Sequence, residues 1–253
     1  MKYYYLLLSV ILLSVKIPAN GQAELKIVAT STWTAGYIRL AGIDKFDVLA
    51  PSEMQHPSEY ELQIEDIIKL RDADLIICGG YETMMEKIRK GLQIDPVKIL
   101  QIQTDYNLAH IRTSVRSIAK KTGTDEKAEK NLEKLKILFD DSKQKIREAG
   151  IAEIPVLVQF YLRTFSEELG LNITGIFGPR QLEAYNIQEL MKIDFKLILD
   201  NAHNPSARPL VETRKGTKIV YLINFPGING TETIEDVIRY NVKMILNAYN
   251  SGR

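Results

Sequence analysis

Ile64-Glu-Asp-Ile-Ile-Lys-Leu70 followed by Asp74-Leu-Ile-Ile77 returns later in the chain as Ile187-Gln-Glu-Leu-Met-Lys-Ile193 followed by Lys196-Leu-Ile-Leu199. Each copy reads as an amphipathic helix packed onto the strand that follows it, so the chain contains the same α/β unit twice. The loop after the first strand is Gly79-Gly-Tyr81 and after the second it is Asn201-Ala-His203. In open α/β sheets ligands collect outside the carboxyl ends of strands, so these two loops are expected to face each other across a cleft.

Working outward, short apolar or β-branched runs recur with amphipathic segments between them. In the first half they are Leu25-Lys-Ile-Val-Ala29, Phe46-Asp-Val-Leu49, the run ending at Ile77 and Val97-Lys-Ile-Leu100. In the second half they are Ile154-Pro-Val-Leu-Val158, Leu171-Asn-Ile-Thr174, Phe195-Lys-Leu-Ile-Leu199 and Lys218-Ile-Val-Tyr-Leu-Ile223. This alternation predicts an α/β fold of two pseudo-symmetric lobes, each a mostly parallel sheet flanked by helices.

Between the halves, Thr124 to Glu148 contains no Gly or Pro, opens on Thr124 and Asp125 as capping residues and stops before Gly150. Ala128, Leu132, Leu135, Leu138, Phe139 and Ile146 form one apolar stripe at spacings of three and four. The segment predicts a single helix about 37 Å long, enough to lie along both lobes. The expected organisation is an N-terminal lobe over 24–123, a linking helix over 124–149 and a C-terminal lobe over 150–253.

Residues 1–23 read as a secretory signal peptide: an early Lys2, an apolar run of about a dozen residues, then small residues with cleavage after Gly21 or Ala23. That run is shorter than the roughly 20 residues a membrane-spanning helix needs. Cleavage would remove Lys2 and Lys16, turning 33 basic and 32 acidic side chains into 31 and 32. A formal charge of minus 1 gives no electrostatic case for nucleic acid. The lone Cys78 lies within Leu75-Ile-Ile-Cys-Gly79 and reads as a small buried hydrophobe. The expected product is an exported, soluble, monomeric domain.

The chain has three histidines. His56 follows Met54-Gln, His110 closes Tyr106-Asn-Leu-Ala-His110, and His203 stands in Asp200-Asn-Ala-His-Asn-Pro205; all three are expected in loops after or between strands. Imidazole binds borderline cations while neutral near pH 7, so this sparing use suggests one divalent-metal site assembled from distant segments.

Along nearly the whole mature chain the sequence resembles the zinc- and manganese-binding receptors of metal ABC transporters, the TroA-like (cluster A-I) solute-binding family. The resemblance rests on Ile27-Val-Ala-Thr-Ser-Thr-Trp-Thr34, on His56-Pro-Ser-Glu-Tyr-Glu61 with Glu65-Asp-Ile67, on Ala73-Asp-Leu-Ile-Ile77, on the linking helix and Gly170, and on Ile234-Glu-Asp-Val-Ile-Arg-Tyr-Asn241 after Gly227. It implies a periplasmic receptor that captures a divalent metal between its lobes and passes it to a membrane permease with its ATPase. Zinc is the ion expected first, with Mn2+ and Fe2+ as alternatives.

The departures from the family are concentrated at its ligand positions. The ligating histidine that usually precedes the Glu-Tyr pair is Ser58 here, with His56 two residues earlier. His110 matches the second ligand, Gln159 stands at the third and Asn224 at or near the fourth. The departures therefore point to a rebuilt site of His56, His110 and His203, with Gln159, Asp200 or water completing it and Asn224 and Glu59 orienting imidazoles. The histidine-rich acidic insertion of many zinc receptors is absent.

Two other functions compete. A receptor of the same architecture for a metal chelate, a siderophore or tetrapyrrole, would use Trp33, Tyr81, Tyr161, Arg163 and Arg180. A zinc-dependent hydrolase would need three histidines and an open position, with Glu59 as base, but the chain has no His-Glu-x-x-His or Gly-x-Ser-x-Gly run. The reading favoured here is a binding protein and not an enzyme.

Overall fold

A computed structural model describes residues 25–250 apart from Glu53, Gln55 and Lys215. The signal-peptide reading of residues 1–23 lies outside the described residues. Eight strands appear where the eight apolar runs predict them. β1 (Ile27–Ala29), β2 (Asp47–Val48), β3 (Leu75–Cys78) and β4 (Ile99–Gln101) form a parallel sheet in the order β2-β1-β3-β4. β5 (Pro155–Gln159), β6 (Asn172–Phe177), β7 (Leu197–Asn201) and β8 (Lys218–Leu222) form a second, in the order β6-β5-β7-β8.

The second order is the first with four added to each strand. β3 and β7, the strands of the internal echo, therefore hold the same place in their sheets. They are preceded by the echoing helices α2 (Ile64–Asp72) and α7 (Ala184–Leu190). The remaining helices are α1 (Thr32–Leu40), α3 (Met84–Gly91), α4 (Leu108–Thr122), α5 (Asp125–Glu148), α6 (Arg163–Glu168), α8 (Arg208–Thr213) and α9 (Ile234–Asn250).

Strand side chains alternate between two apolar surroundings, which explains why the strands read as continuous apolar runs and not as alternating ones. Ile27, Ala29, Leu75, Ile77, Val156, Val158, Leu197 and Leu199 point into one core shared by both sheets. Val28, Ile76 and Cys78 point into an outer core of the first half, Leu157 and Ile198 into one of the second. Burying each large aliphatic side chain contributes about 1.5–3 kcal/mol, so separating the halves widely would expose much of what holds the chain folded.

α5 runs 24 residues and buries Ala128, Leu132, Leu135, Leu138, Phe139 and Ile146, the stripe read from the sequence. It packs on α1 and α4 from the first half and on α9 from the second. α1 and α9 also touch directly: a Cβ on Gly36 would lie 2.9 Å from Cγ1 of Ile234, so only glycine admits this approach. A second tie crosses near the cleft, where Tyr106 N–H donates to Thr164 Oγ1 at 3.2 Å and Leu108 N–H to Glu168 Oε1 at 2.9 Å. Among the described residues no helix is long and apolar enough to cross a membrane.

Candidate ligand-binding cleft

Because all strands in each sheet run parallel, their carboxyl ends gather on one side. There the loops of both halves enclose a cleft of about 570 Å3. The first half contributes Ser31 and Trp33 after β1, His56 to Glu59 after β2, Tyr81 after β3 and Thr104 after β4. The second contributes Tyr161 after β5, Asn201 at the end of β7 with His203 and Asn204 after it, and Asn224 and Phe225 after β8. The echoing loops Gly79–Tyr81 and Asn201–His203 thus reach the same space, as their strand positions require.

His203 is held from three sides. Its backbone N–H donates to Asn201 Oδ1 at 3.0 Å, its ring stacks on Phe225 with centroids 3.7 Å apart and planes 20° from parallel, and its Nδ1 accepts from the Asn224 N–H at 3.2 Å. Its Nε2 is buried and has no partner among the described residues. Burial, with a smaller contribution from nearby His56, pushes the imidazole pKa down to about 4, so the ring is neutral near pH 7.

Phe225 also meets Trp33 across the two halves, in a tilted contact at 5.9 Å and 30°. The indole Nε1–H of Trp33 is also buried without a partner. Tyr81 and Tyr161 add partly exposed rings, 48% and 43% accessible. Among the described residues, the lining holds one carboxylate, the exposed Glu59, and no lysine or arginine.

The structure brings together two of the three histidines. His56, preceding the short turn Pro57–Glu59, shares the cleft with His203. His110 does not, and it is not in a loop. The Asn107 side chain accepts from Ala109 N–H and His110 N–H and starts α4 there, so His110 sits in the first helical turn. Its ring faces a separate depression of about 160 Å3, with Nδ1 2.7 Å from Asp105 Oδ2 and 2.8 Å from Gln103 Nε2.

The other expected ligands are placed as follows. Gln159 lies buried behind the cleft wall, its Oε1 accepting from Tyr161 N–H at 2.7 Å and its Nε2 unpartnered. The carboxylate of Asp200 is occupied by the N–H groups of Asn201, Ser206 and Ala207, each at 2.9 Å, and so shapes the His203 loop from within. Asn224 faces the cleft with its Oδ1 buried and unpartnered. Among the described residues no three His, Cys, Asp or Glu side chains gather as a metal site. Of the chelate-binding set, Trp33, Tyr81 and Tyr161 line the cleft, whereas Arg163 pairs with Glu167 at 2.7 Å and Arg180 is exposed elsewhere.

Three supports of the cleft lie outside the site residues expected from the sequence. Buried Glu82 accepts from Thr30 Oγ1, Gly79 N–H and Gly80 N–H and so fixes the loop that carries Tyr81. Asn241, fully buried, bonds both the N–H and the C=O of Ile223 and holds the loop of Asn224 and Phe225. Gly227, at φ +132°, passes so close to the other half that a Cβ there would lie 2.7 Å from Ser52 O.

No known protein family matches the sequence, and no curated protein matches it. By fold the chain has the two-lobe α/β architecture seen in solute-binding proteins. It is similar to the solute-binding protein FpvC of Pseudomonas aeruginosa in complex with Ni2+, with TM-score 0.70 and 17% identity over 91% of this chain and 98% of that one. The Mn2+ complex of FpvC gives TM-score 0.71 and 18% identity over 91% and 100%. The Mn-bound periplasmic metal-binding protein of Candidatus Liberibacter asiaticus gives TM-score 0.63 and 17% identity over 88% and 99%.

Proposed function

We propose that this chain is an exported solute-binding receptor that captures a divalent metal in the cleft between its halves and delivers it to an ABC permease and its ATPase. One observation carries the proposal. His56 from the first half and His203 from the second face one cleft, in a fold shared over about nine tenths of the chain with receptors solved with Ni2+ and Mn2+. Imidazoles suit borderline ions, so zinc is the ion we place first, nickel beside it, and manganese and ferrous iron behind. His56, His203, Asn224 and Glu59 are the residues proposed to contact the bound solute. His110 stands outside the proposed contact set.

The mechanism is capture and release, with no bond made or broken. The shared core and the ties through α5 and α6 keep the halves together, so release requires small loop and lobe displacements and not wide opening. The protein acts as a monomer, with lobes over 24–123 and 150–253 and the linking helix between them.

Retention of metal tests the proposal. Chelator-stripped protein is incubated with Zn2+, Ni2+ or Mn2+, free and as small-molecule complexes, then desalted and its metal counted. About one ion per chain in at least one form, lost in a Trp33→Ala variant that disrupts the cleft wall, supports capture. No retained metal in any form refutes it.

A further inference from the structure

We infer that the metal enters the cleft inside an aromatic, oxygen-donor organic chelate and not as a naked ion. This inference rests on the metal-receptor reading and narrows the chemical class of what the same site takes.

The tautomer of His203 is the first ground. A backbone N–H can only donate, so the Asn224 N–H 3.2 Å from Nδ1 makes that nitrogen the acceptor and leaves the ring proton on Nε2. His203, which lines the cleft, therefore carries its proton on the buried Nε2. Ligation through Nε2 would require the proton to move to Nδ1, where it would oppose the Asn224 N–H. With Asp200 and Gln159 engaged elsewhere, no three His, Cys, Asp or Glu side chains gather to replace it among the described residues.

The unsatisfied donors are the second. His203 Nε2–H and Trp33 Nε1–H are both buried on cleft-lining rings without acceptors. Buried donors are nearly always paired, so these two call for acceptor atoms supplied by a ligand. An ion presents none; the oxygens of a chelator do.

Size and surface agree. A cleft of about 570 Å3 lies within the range, about 300–1,000 Å3, that takes whole organic molecules. The cleft-lining rings of Trp33, Tyr81 and Tyr161, the last two partly exposed, offer aromatic surface to a planar ligand. The charge of the lining decides between an ion and a complex. With one exposed carboxylate and no cationic side chain among the described residues, the walls leave a bare dication largely uncompensated, whereas a chelate of anionic oxygens arrives nearly neutral.

The test is calorimetric titration of metal-stripped mature protein with four probes: Ni2+ alone, maltol alone, the nickel bis-maltolate complex, and nickel citrate as a non-aromatic chelate. The complex with maltol is expected to bind at least tenfold more tightly than any of the other three. Trp33→Phe, which keeps the ring and removes the N–H, is expected to weaken that binding about tenfold. Because the variant could disturb packing, the wild-type imidazole 15N shifts are read as well, and His203 is expected to stay in the Nε2–H form before and after loading.

Ni2+ alone binding as tightly as its maltolate, with the His203 proton found on Nδ1, overturns the chelate inference and leaves the metal receptor standing. Maltol alone binding as tightly as its nickel complex overturns both. Failure of nickel maltolate to bind while nickel citrate binds overturns the aromatic assignment, and no nickel binding in any form removes both readings.

Discussion

The backbone N–H of Asn224 donates to Nδ1 of His203 across 3.2 Å, joining the loop after β8 to the loop after β7 and fixing which imidazole nitrogen carries the proton. The ring is buried, neutral and stacked on Phe225. Its environment makes it a hydrogen-bonding wall of the site, and that placement has consequences for pH, stability and affinity.

The first consequence is pH dependence. His203 in the folded chain has its pKa lowered from 6.5 to about 4, by burial first and by His56 second. As pH falls, the unfolded chain takes up this proton before the folded one. The stabilisation is therefore complete above about pH 6.5 and is lost as pH falls toward 4, by on the order of 3 kcal/mol. Urea unfolding at pH 7 and pH 4.5 should show this loss in the wild type and a smaller one in His203→Gln, which cannot titrate there.

Glu82→Ala should be among the most damaging single changes outside the cleft lining. It leaves the Thr30 hydroxyl and the N–H groups of Gly79 and Gly80 without their buried acceptor, at a cost of about 2–4 kcal/mol. A fall in Tm is expected together with weaker solute binding, since the same loop presents Tyr81. Unchanged Tm would show that the carboxylate does not hold the loop.

Asn241→Ala removes both bonds to Ile223 in a fully buried position, at a similar cost of about 2–4 kcal/mol. Asn241→Asp keeps the acceptor for the Ile223 N–H and loses the donor to its C=O. Denaturant midpoints are expected to fall in both variants. The fluorescence of Trp33, in tilted contact with Phe225 at 5.9 Å, should report movement of the loop.

At Gly227 the backbone has φ +132°, and a Cβ would meet Ser52 O at 2.7 Å. Gly227→Ala should destabilise the protein by about 1–3 kcal/mol through strain and push the two halves apart at that point. Small-angle scattering and thermal unfolding check the two effects separately. His110→Ala serves as the contrasting case: its half-exposed pairing with Asp105 is worth less than about 1 kcal/mol, and cleft binding should be unchanged.

Much of this architecture is written in local periodicity. The helix–strand echo at Ile64–Ile77 and Ile187–Leu199 occupies equivalent places in two sheets of the same strand order, and the α5 stripe faces the core as spaced. Local pattern suffices there because buried parallel strands and amphipathic helices leave strong apolar signatures.

The site was legible only in part. His56 and His203 share the cleft because both follow strands, a placement visible in the sequence. His110 lies in a helix and not in the expected loop because the Asn107 side chain caps α4 and sets where it begins. Phe225 gave no signal, since its stacking on His203 depends on tertiary geometry. Asn241 could have been found: it lies on the buried stripe of Ile234, Val237, Ile238, Val242 and Ile245, where a lone amide implies a buried partner. The tautomer of His203 depends on a backbone amide 21 residues away, which no local pattern encodes.

Anomalous diffraction from crystals soaked with zinc or nickel, free and as the maltolate, locates the captured metal directly. One anomalous peak per chain is expected within the cleft bounded by Trp33, His56 and His203. No peak there in any form, or a peak only beside His110 and Asp105, would overturn the reading of this cleft as a metal-capturing site.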